Sequence, residues 1–280
     1  MSAIAGLTDF RQEGVPADIG VFQFPGDRLV FKFNFSGTTY VCVIRSGQRG
    51  WVLVDFDVSS AANDTTVIQS ALTSLTAGRD WKEKVVVQGG YTINDTLEVY
   101  SYTLLDLSGA RISLADASNC NMIENDTPVA GNIEIVVEGG ILDGNAVNQA
   151  LLSRGIYFEN VGTATEEGCL IKDCTVENCY YTGIYVNAST NSKVLHNHCN
   201  ENGSGAAKHG ITIYDVTHSI VANNICRANE NHGITVANYS WHNTIADNTC
   251  QGHATGIVAE LGWVAHNDIV GNTCCDNSQG

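Results

Sequence analysis

Proline is nearly missing, with 3 in 280 residues, and basic side chains are scarce, 14 Lys and Arg against 30 Asp and Glu. The resulting net charge of -16 excludes broad nucleic-acid binding, because phosphates need Lys and Arg. It also disfavours contact with anionic membranes, and a polyanionic partner would need a local basic patch. No run of 18 apolar residues exists, so no membrane-spanning helix is expected. The start, MSAIAGLTDFRQEG, has no basic segment followed by an apolar stretch, so no signal peptide is expected. That leaves export by another route, a leader absent from this sequence, or release inside a virus particle. Cys-x-x-Cys is also absent, which argues against a thiolate metal site although Cys numbers 10.

What is present points to strands and turns. Gly numbers 28, charged residues are 16%, and Asn crowds the second half, a composition that suits an all-β repeat protein. Residues 1–60 read as a small β-rich module. Its strands are Leu29–Phe35, Tyr40–Ile44 and Trp51–Phe56, separated by turns at Ser36-Gly37 and Ser46–Gly50. Residues 63–77 read as a helix, with Val67, Ile68, Ala71, Leu72 and Leu75 on one stripe. Asn63 or Asp64 would cap its start and Gly78 would end it. Such a helix can cover the open end of a solenoid, which otherwise exposes an apolar cross-section.

From residue 85 one pattern recurs: apolar, any residue, a turn-former, a small residue or Asn. Its copies end at Gly90, Ala110, Gly140, Cys174, Asn197, Asn224, Asn248 and Asn272, with separations of 20, 30, 34, 23, 27, 24 and 24. A period in the low twenties is a solenoid signature. The residue before each of these is Gly, Asp, His or Asn, types that tolerate a left-handed backbone, so a bend is expected there. Asn197, Asn224, Asn248 and Asn272 would then stack as an amide ladder at ~4.8 Å per coil. Two residues later Cys199, Cys226, Cys250 and Cys274 would face inward as stacked free thiols, small and apolar, and not as disulfides. Cys169, Cys174 and Cys179 are read in the same way as strand residues. In step with this, Gly155-Ile156, Gly183-Ile184, Gly210-Ile211, Gly233-Ile234 and Gly256-Ile257 each open a short alternating strand.

These residues resemble the pectate-lyase-like superfamily of right-handed parallel β-helices, over about residues 60–280. NDTTVIQSAL at 63–72 looks like its leading helix, and 85–114 is similar to its first coils. VEGGILDGN at 137–145 resembles a coil of pectinases and phage tailspikes, and the later repeats resemble those of alginate epimerases and surface repeat proteins. The resemblance implies an all-β, right-handed parallel β-helix over 61–280, with a capping helix and the small N-terminal module. It also implies a polysaccharide partner. Reaction-specific motifs are absent: there is no Asn-Thr-Asp, Asp-Asp, Gly-His-Gly or Arg-Ile-Lys of polygalacturonases. The Arg-x-Pro-x-x-Arg of pectate lyases and the Asp-Pro-His of epimerases are missing too. One fold hosts many functions, so the reaction stays open.

All eight His lie between residues 196 and 266. His218, His242 and His266, spaced by 24, should stack on one corner, either as a surface ladder or as a metal or anion site. His209 and His232 each precede a Gly-Ile, and coil stacking would bring Lys208, His209, Tyr214, Asp215, His232 and Tyr185 into one region. Lys208, His209, Tyr214, Asp215 and His232 are the candidate catalytic set. A cation would neutralise a uronate carboxylate, a base would remove the adjacent proton, and a Tyr would return one. The alternative is a solvated loop beside outward strand residues. Tyr157, Tyr185, Arg154 and Glu159 are the candidate substrate contacts, since flat rings along a groove suit sugars. Exposed strands favour Tyr anyway. Glu159 and Glu260 are too many coils apart for a hydrolytic pair, and Glu159 with Asp143 is the weaker candidate left. No motif indicates a cofactor or metal, with Ca2+ the one ion left open.

Two functions therefore stand. One is a polysaccharide-binding lyase or epimerase acting on a uronate-containing glycan, extracellular or virion-associated. The other is a non-catalytic tail fibre or cell-surface adhesin, in which a homotrimer would be natural. The chain stops mid-rhythm at Asn272–Gly280, so further coils or a covering partner are expected.

Overall fold

Short strands that alternate apolar and polar residues can bury one face only by closing on themselves, and the computed structural model closes them coil upon coil. It describes residues 27–47, 50–151, 153–203 and 209–279. Residues 1–26, and Gln48 and Arg49 of the expected second turn, lie outside the described residues. The architecture is an all-β, right-handed parallel β-helix, with one α-helix among the described residues. No helix of the described residues is long and apolar enough to cross a membrane.

The described residues open with β1 (Arg28–Phe35), β2 (Thr38–Gly47) and β3 (Gly50–Val58), joined antiparallel. Helix α1 (Ala61–Thr73) follows, and then β4 (Glu83–Ile93) opens the first coil. β1 pairs parallel with β4 through Arg28–Val30 and Val85–Val87, so the N-terminal strands extend the solenoid's own sheet. Val30, Val41 and Val43 pack in one apolar core with Val67, Ile68, Leu72 and Val85. The helix starts two residues earlier than expected. Its cap is Ser60, extended after β3, whose Oγ accepts from the Asn63 N–H at 3.2 Å. Asp64 is buried instead and gathers the Lys32 ammonium (2.7 Å), the Ser59 hydroxyl (2.9 Å) and the Thr92 N–H (3.1 Å). The helix ends at Ser74, ahead of the left-handed Gly78.

Each later coil contributes three short strands to three columns. One column runs through Ile135–Glu138, Cys169–Lys172, Lys193–Leu195, Ile220–Ala222, Thr244–Ala246 and Asp268–Val270. The next runs through Ile141–Asp143, Thr175–Glu177, His198–Asn200, Ile225–Arg227, Thr249–Gln251 and Thr273–Cys275. The third is a separate seven-stranded sheet, from Leu97–Val99 through Ile123–Asn125, Ile156–Glu159, Ile184–Asn187, His209–Tyr214 and His232–Ala237 to Thr255–Glu260. Every strand pairs in register with its equivalent one coil away, which makes like positions into files. Ile156, Ile184, Ile211 and Ile234 form one buried file, and Phe158, Val186, Ile213 and Val236 another.

The corners carry the polar cost of this arrangement. Gly89, Gly139, Asp173, His196, Asn223, Asp247 and Gly271 all have positive φ, as the bend reading requires, whereas Gly109 does not. Asn224 and its neighbours form the expected ladder. Asn197 Nδ2 donates to Asn224 Oδ1 (3.0 Å), Asn224 Nδ2 to Asn248 Oδ1 (3.0 Å), and Asn248 Nδ2 to Asn272 Oδ1 (2.9 Å). Each Nδ2 also reaches a backbone carbonyl, as Asn248 does to Val221 at 2.9 Å. Two more ladders share the period. One runs Asn202, Asn229, His253 and Asn277, the other Ser192, Ser219, Asn243 and Asn267.

Cys199, Cys226, Cys250 and Cys274 stand in register as free thiols. Cys174 and Cys179 sit at corners and not within strands, a correction to the sequence reading. Their N–H groups, with that of Cys169, donate to Asn197, Asn202 and Ser192, so the three cysteines head the three ladders. The thiol file also explains the Gly-Ile motif. A Cβ on Gly210 would lie 2.9 Å from Cys226 Sγ, one on Gly233 2.7 Å from Cys250 Sγ, and one on Gly256 2.6 Å from Cys274 Sγ. Glycine is therefore required where the seven-stranded sheet meets the cysteines.

Replacing Asn248 with Ala removes its bonds and strands the Val221 carbonyl and the Asn224 backbone N–H inside the cylinder, while the Asn224 side-chain amide keeps only its bond to Val194. Chemical denaturation of Asn248→Ala should show a loss of about 2–4 kcal/mol, and a loss below ~1 kcal/mol would deny the ladder a structural role. Thiol labelling gives a second check. Cys274 is exposed and should react in the native protein, whereas buried Cys199, Cys226 and Cys250 should react only on unfolding.

Candidate functional site

The outer face of the seven-stranded sheet gathers most of the candidate residues. Alternation sends Ile211 and Ile213 inward, which turns Thr212 and Tyr214 outward. Gly210 also faces inward, next to Ile211, so His209 is directed outward as well. Arg154, His209 and His232 each stand directly before a glycine of the Gly-Ile motif, the same place in three coils.

Tyr157 and Tyr185 stand in register on the outward side, with Thr212 in the next coil, while Tyr214, level with Asn187, leans back against Tyr185; the ring centroids are 5.6 Å apart for the first pair and 6.4 Å for the second. Arg154 lies against the first pair. Its guanidinium carbon is 4.7 Å from the Tyr157 ring centre, 4.8 Å from Tyr185 and 5.0 Å from Tyr181. Three rings thus surround one cation, and its buried Nε has no hydrogen-bond partner. Glu159 does not pair with this cation. It accepts from the Tyr157 hydroxyl and from Asn187 Nδ2, both at 2.8 Å. Burial pushes the Tyr157 hydroxyl up to about 12, with the bond to Glu159 adding to the effect. Burial also raises Tyr185 to about 12, against the pull of Arg154. Both phenols are therefore proton donors at neutral pH and poor bases.

His209 and His232 stack face to face, with centroids 4.8 Å apart and planes 2° from parallel. Burial lowers His209 to about 4, and the neighbouring His232 disfavours a second charge beside it. His232 is lowered too, chiefly by burial, with Glu260 partly offsetting this. Both rings are neutral at pH 7, the form that can take up a proton. Their Nδ1 atoms have no partner, and neither do Thr212 Oγ1 and Thr235 Oγ1 between the same strands. Among the described residues, eight buried side-chain polar atoms lack partners. Six of those belong to this face or its approach: Ser153, Arg154, His209, Thr212, His232 and Thr235. Unpartnered buried polar atoms are rare and costly, so their concentration on one face marks it out.

The remaining candidates divide. Lys208 lies outside the described residues. Asp215 is one residue past the strand, left-handed at φ 56, in a corner column with Ala188 and Asn238, and that bend accounts for its residue type. Among the described residues it makes no hydrogen bond or ion pair to the imidazoles. Glu159 and Asp143 are not brought together, because Asp143 belongs to the other sheet and binds Arg111 at 2.7 Å. Sequence reasoning missed Tyr181 and the Thr212–Thr235 pair. No repeat spacing marks Tyr181, which stands one residue before the coil equivalent of Arg154, level with Ser153.

The third group, His218, His242 and His266, sits on another corner. All three are left-handed, and their rings stack at 5.2 and 5.3 Å.

A family model described as periplasmic copper-binding protein (NosD) matches residues 89–280. No curated protein matches. Among solved structures, ORF18 of Geobacillus virus E2 aligns at 14% identity and TM-score 0.58, over 79% of this chain and 54% of that one. The Dettilon tailspike protein gp208 aligns at 20% identity and TM-score 0.48, over 76% and 48%. An endo-xylogalacturonan hydrolase from Aspergillus tubingensis aligns at 15% identity and TM-score 0.49, over 77% and 72%. The chain spans about half the length of the first two. At such identities the likeness is one of fold.

Copper, which the family description names, takes imidazole or thiolate donors. The thiol file fits poorly. Hydrogen bonds between successive thiols, together with burial, push Cys226 and Cys250 far above the usual thiol range. Among the described residues no three His, Cys, Asp or Glu side chains form a ready metal site. The donors whose chemistry and access fit are the corner imidazoles His218, His242 and His266, all three exposed. With the matching model running from the first full coil to the last residue, the chain belongs to the NosD family of β-helix proteins.

Proposed function

We propose that this protein binds an acidic polysaccharide along the outer face of the seven-stranded sheet and modifies it by lyase or epimerase chemistry. The observation that carries the reading is the cluster of outward tyrosines around the caged Arg154 beside two neutral imidazoles, all on one face. Tyrosine rings offer flat apolar surface to sugar rings, and Arg154 offers a cation that no carboxylate of the described residues neutralises. A uronate unit supplies the matching anion. On this reading Arg154 or Lys208 draws the uronate carboxylate, which acidifies the adjacent C–H. His209 or His232 takes that proton, and Tyr214 returns one to the ring in an epimerase or to the leaving oxygen in a lyase. The site belongs outside the cytoplasm, where such glycans are met, and the family's description as periplasmic agrees.

The second reading is a non-catalytic fibre, with a homotrimer as its natural form. The fold likeness to a virus protein favours it. Incubation with alginate, pectate and glycosaminoglycans separates the two, with unsaturated product followed by absorbance and epimerisation by NMR. Binding without turnover across the panel would leave only the fibre.

Tyr185→Ala should weaken binding by about 1 kcal/mol, roughly fivefold in Kd by calorimetry. His209→Gln should cut turnover by ~10²–10⁴-fold while binding persists. The pH profile tests the same residue. A base works only when unprotonated, so activity dependent on His209 should hold as pH falls through 6.5 and fail near its lowered value of about 4. An acid limb at ordinary histidine pH would deny His209 that role.

A further inference from the structure

We propose that Thr212 and Thr235 form a hydroxyl-recognising subsite that takes a ring hydroxyl from each of two successive sugar units beside His209 and His232. The inference rests on the glycan reading above and names what this part of the face selects. Thr212 pairs in register with Thr235, as His209 does with His232, so one pattern repeats one coil apart. Tyr185 precedes Thr212 in the same outward file, and Val258 follows Thr235. Thr212 is 3% exposed and Thr235 2%, and the Oγ1 of each lacks a hydrogen-bond partner. His209 is 8% exposed, and its Nδ1 and that of His232 lack one too.

Val258 shows that the fold does not ask for these hydroxyls. Valine has the same branched shape, suits a strand and leaves no polar atom unpaired. The chemistry of the missing partner follows from the atoms left open. A threonine hydroxyl both donates and accepts, and a neutral imidazole does either through Nδ1. A sugar hydroxyl also does both, whereas a carboxylate only accepts and an ammonium only donates. Arg154 thus takes the anionic group of the glycan, and the threonine pair takes neutral hydroxyls. Equal patterns one coil apart, at ~4.8 Å, suit a polymer whose units repeat along the solenoid axis. Burial closes both Oγ1 atoms to bulk water, so the partner inserts between the side chains of this face. A trapped water has the same capacity to donate and accept, and stability separates it from a ligand.

Thr212→Val, Thr235→Val and the double variant of the full chain are first melted without glycan. Unpartnered hydroxyls hold nothing together, so each variant should melt at or above the wild-type temperature. A fall of several degrees would show that the hydroxyls already serve a structural partner such as water, and would overturn the subsite. Binding of alginate, pectate and hyaluronan is then followed by calorimetry. Each single variant should bind roughly fivefold more weakly than wild type. O-acetylation of the glycan's ring hydroxyls should weaken wild type as much, and the double variant little, because one interaction is removed from either side. Equal binding by wild type and the double variant, with Tyr185→Ala still weakened, would overturn the subsite and leave the glycan reading standing. Wild type that binds none of the three polymers would remove that reading, and the subsite with it.

Discussion

Amide ladders at the corners are the constraint on which the rest of this molecule depends. A solenoid coil must turn three times inside an apolar cylinder, and each turn leaves backbone N–H and C=O groups without strand partners. Burying such groups unpaired costs about 1–3 kcal/mol each, repeated in every coil. Asn answers this with one side chain, because its oxygen accepts from the coil below while its nitrogen donates onward and to a carbonyl. Asn224 does all of this while fully buried. The cost of a missing rung would fall on both neighbours, so the ladder fixes register along the axis and every file of side chains inherits it.

Cysteine and glycine belong to the same constraint. Asn at a corner draws the second strand column close to the start of the seven-stranded sheet, and little room is left between them. Cys fills one side as a small apolar residue, and the glycine of Gly-Ile yields the other. Cys-rich composition here reflects a narrow cylinder, with free thiols in files.

This shared geometry explains what the sequence made legible. The period, the first ladder, the thiol file and the stacked histidines are all repeats of one residue type at one spacing, and coil stacking converts such repeats directly into contacts. The other two ladders were hidden because their rungs change type, His253 serving among Asn residues and Ser192 and Ser219 before Asn243. The capping residue was misplaced because Asp64 had a tertiary role, binding Lys32, that no local pattern reveals. In the candidate site the Tyr157–Tyr185 pair and the imidazole pair could be read from spacing, whereas Tyr214 lies two residues off that register. The Arg154 cage could not, since Tyr181 enters it from a turn and not from the strand. Asp215 shows the reverse failure, where a residue type attractive for chemistry also suits a left-handed bend.

The distribution of unsatisfied groups separates structure from function in this fold. Buried corner amides along the ladders are paired rung by rung, while the outward face of one sheet keeps Arg154, His209, Thr212, His232 and Thr235 with buried atoms unpartnered. A sequence able to satisfy three ladders could have placed apolar or short side chains on that face, as the family of stacked coils permits at Ala237 and Val258. Retaining polar atoms there at a cost to stability is the pattern expected where a ligand supplies the missing partners. The strand His209–Tyr214 joins the two halves of that face, with an imidazole at its start and, at its end, Tyr214 stacked against Tyr185. Under the proposed function, a glycan lying along the axis would meet the tyrosine rings and the imidazoles within neighbouring coils.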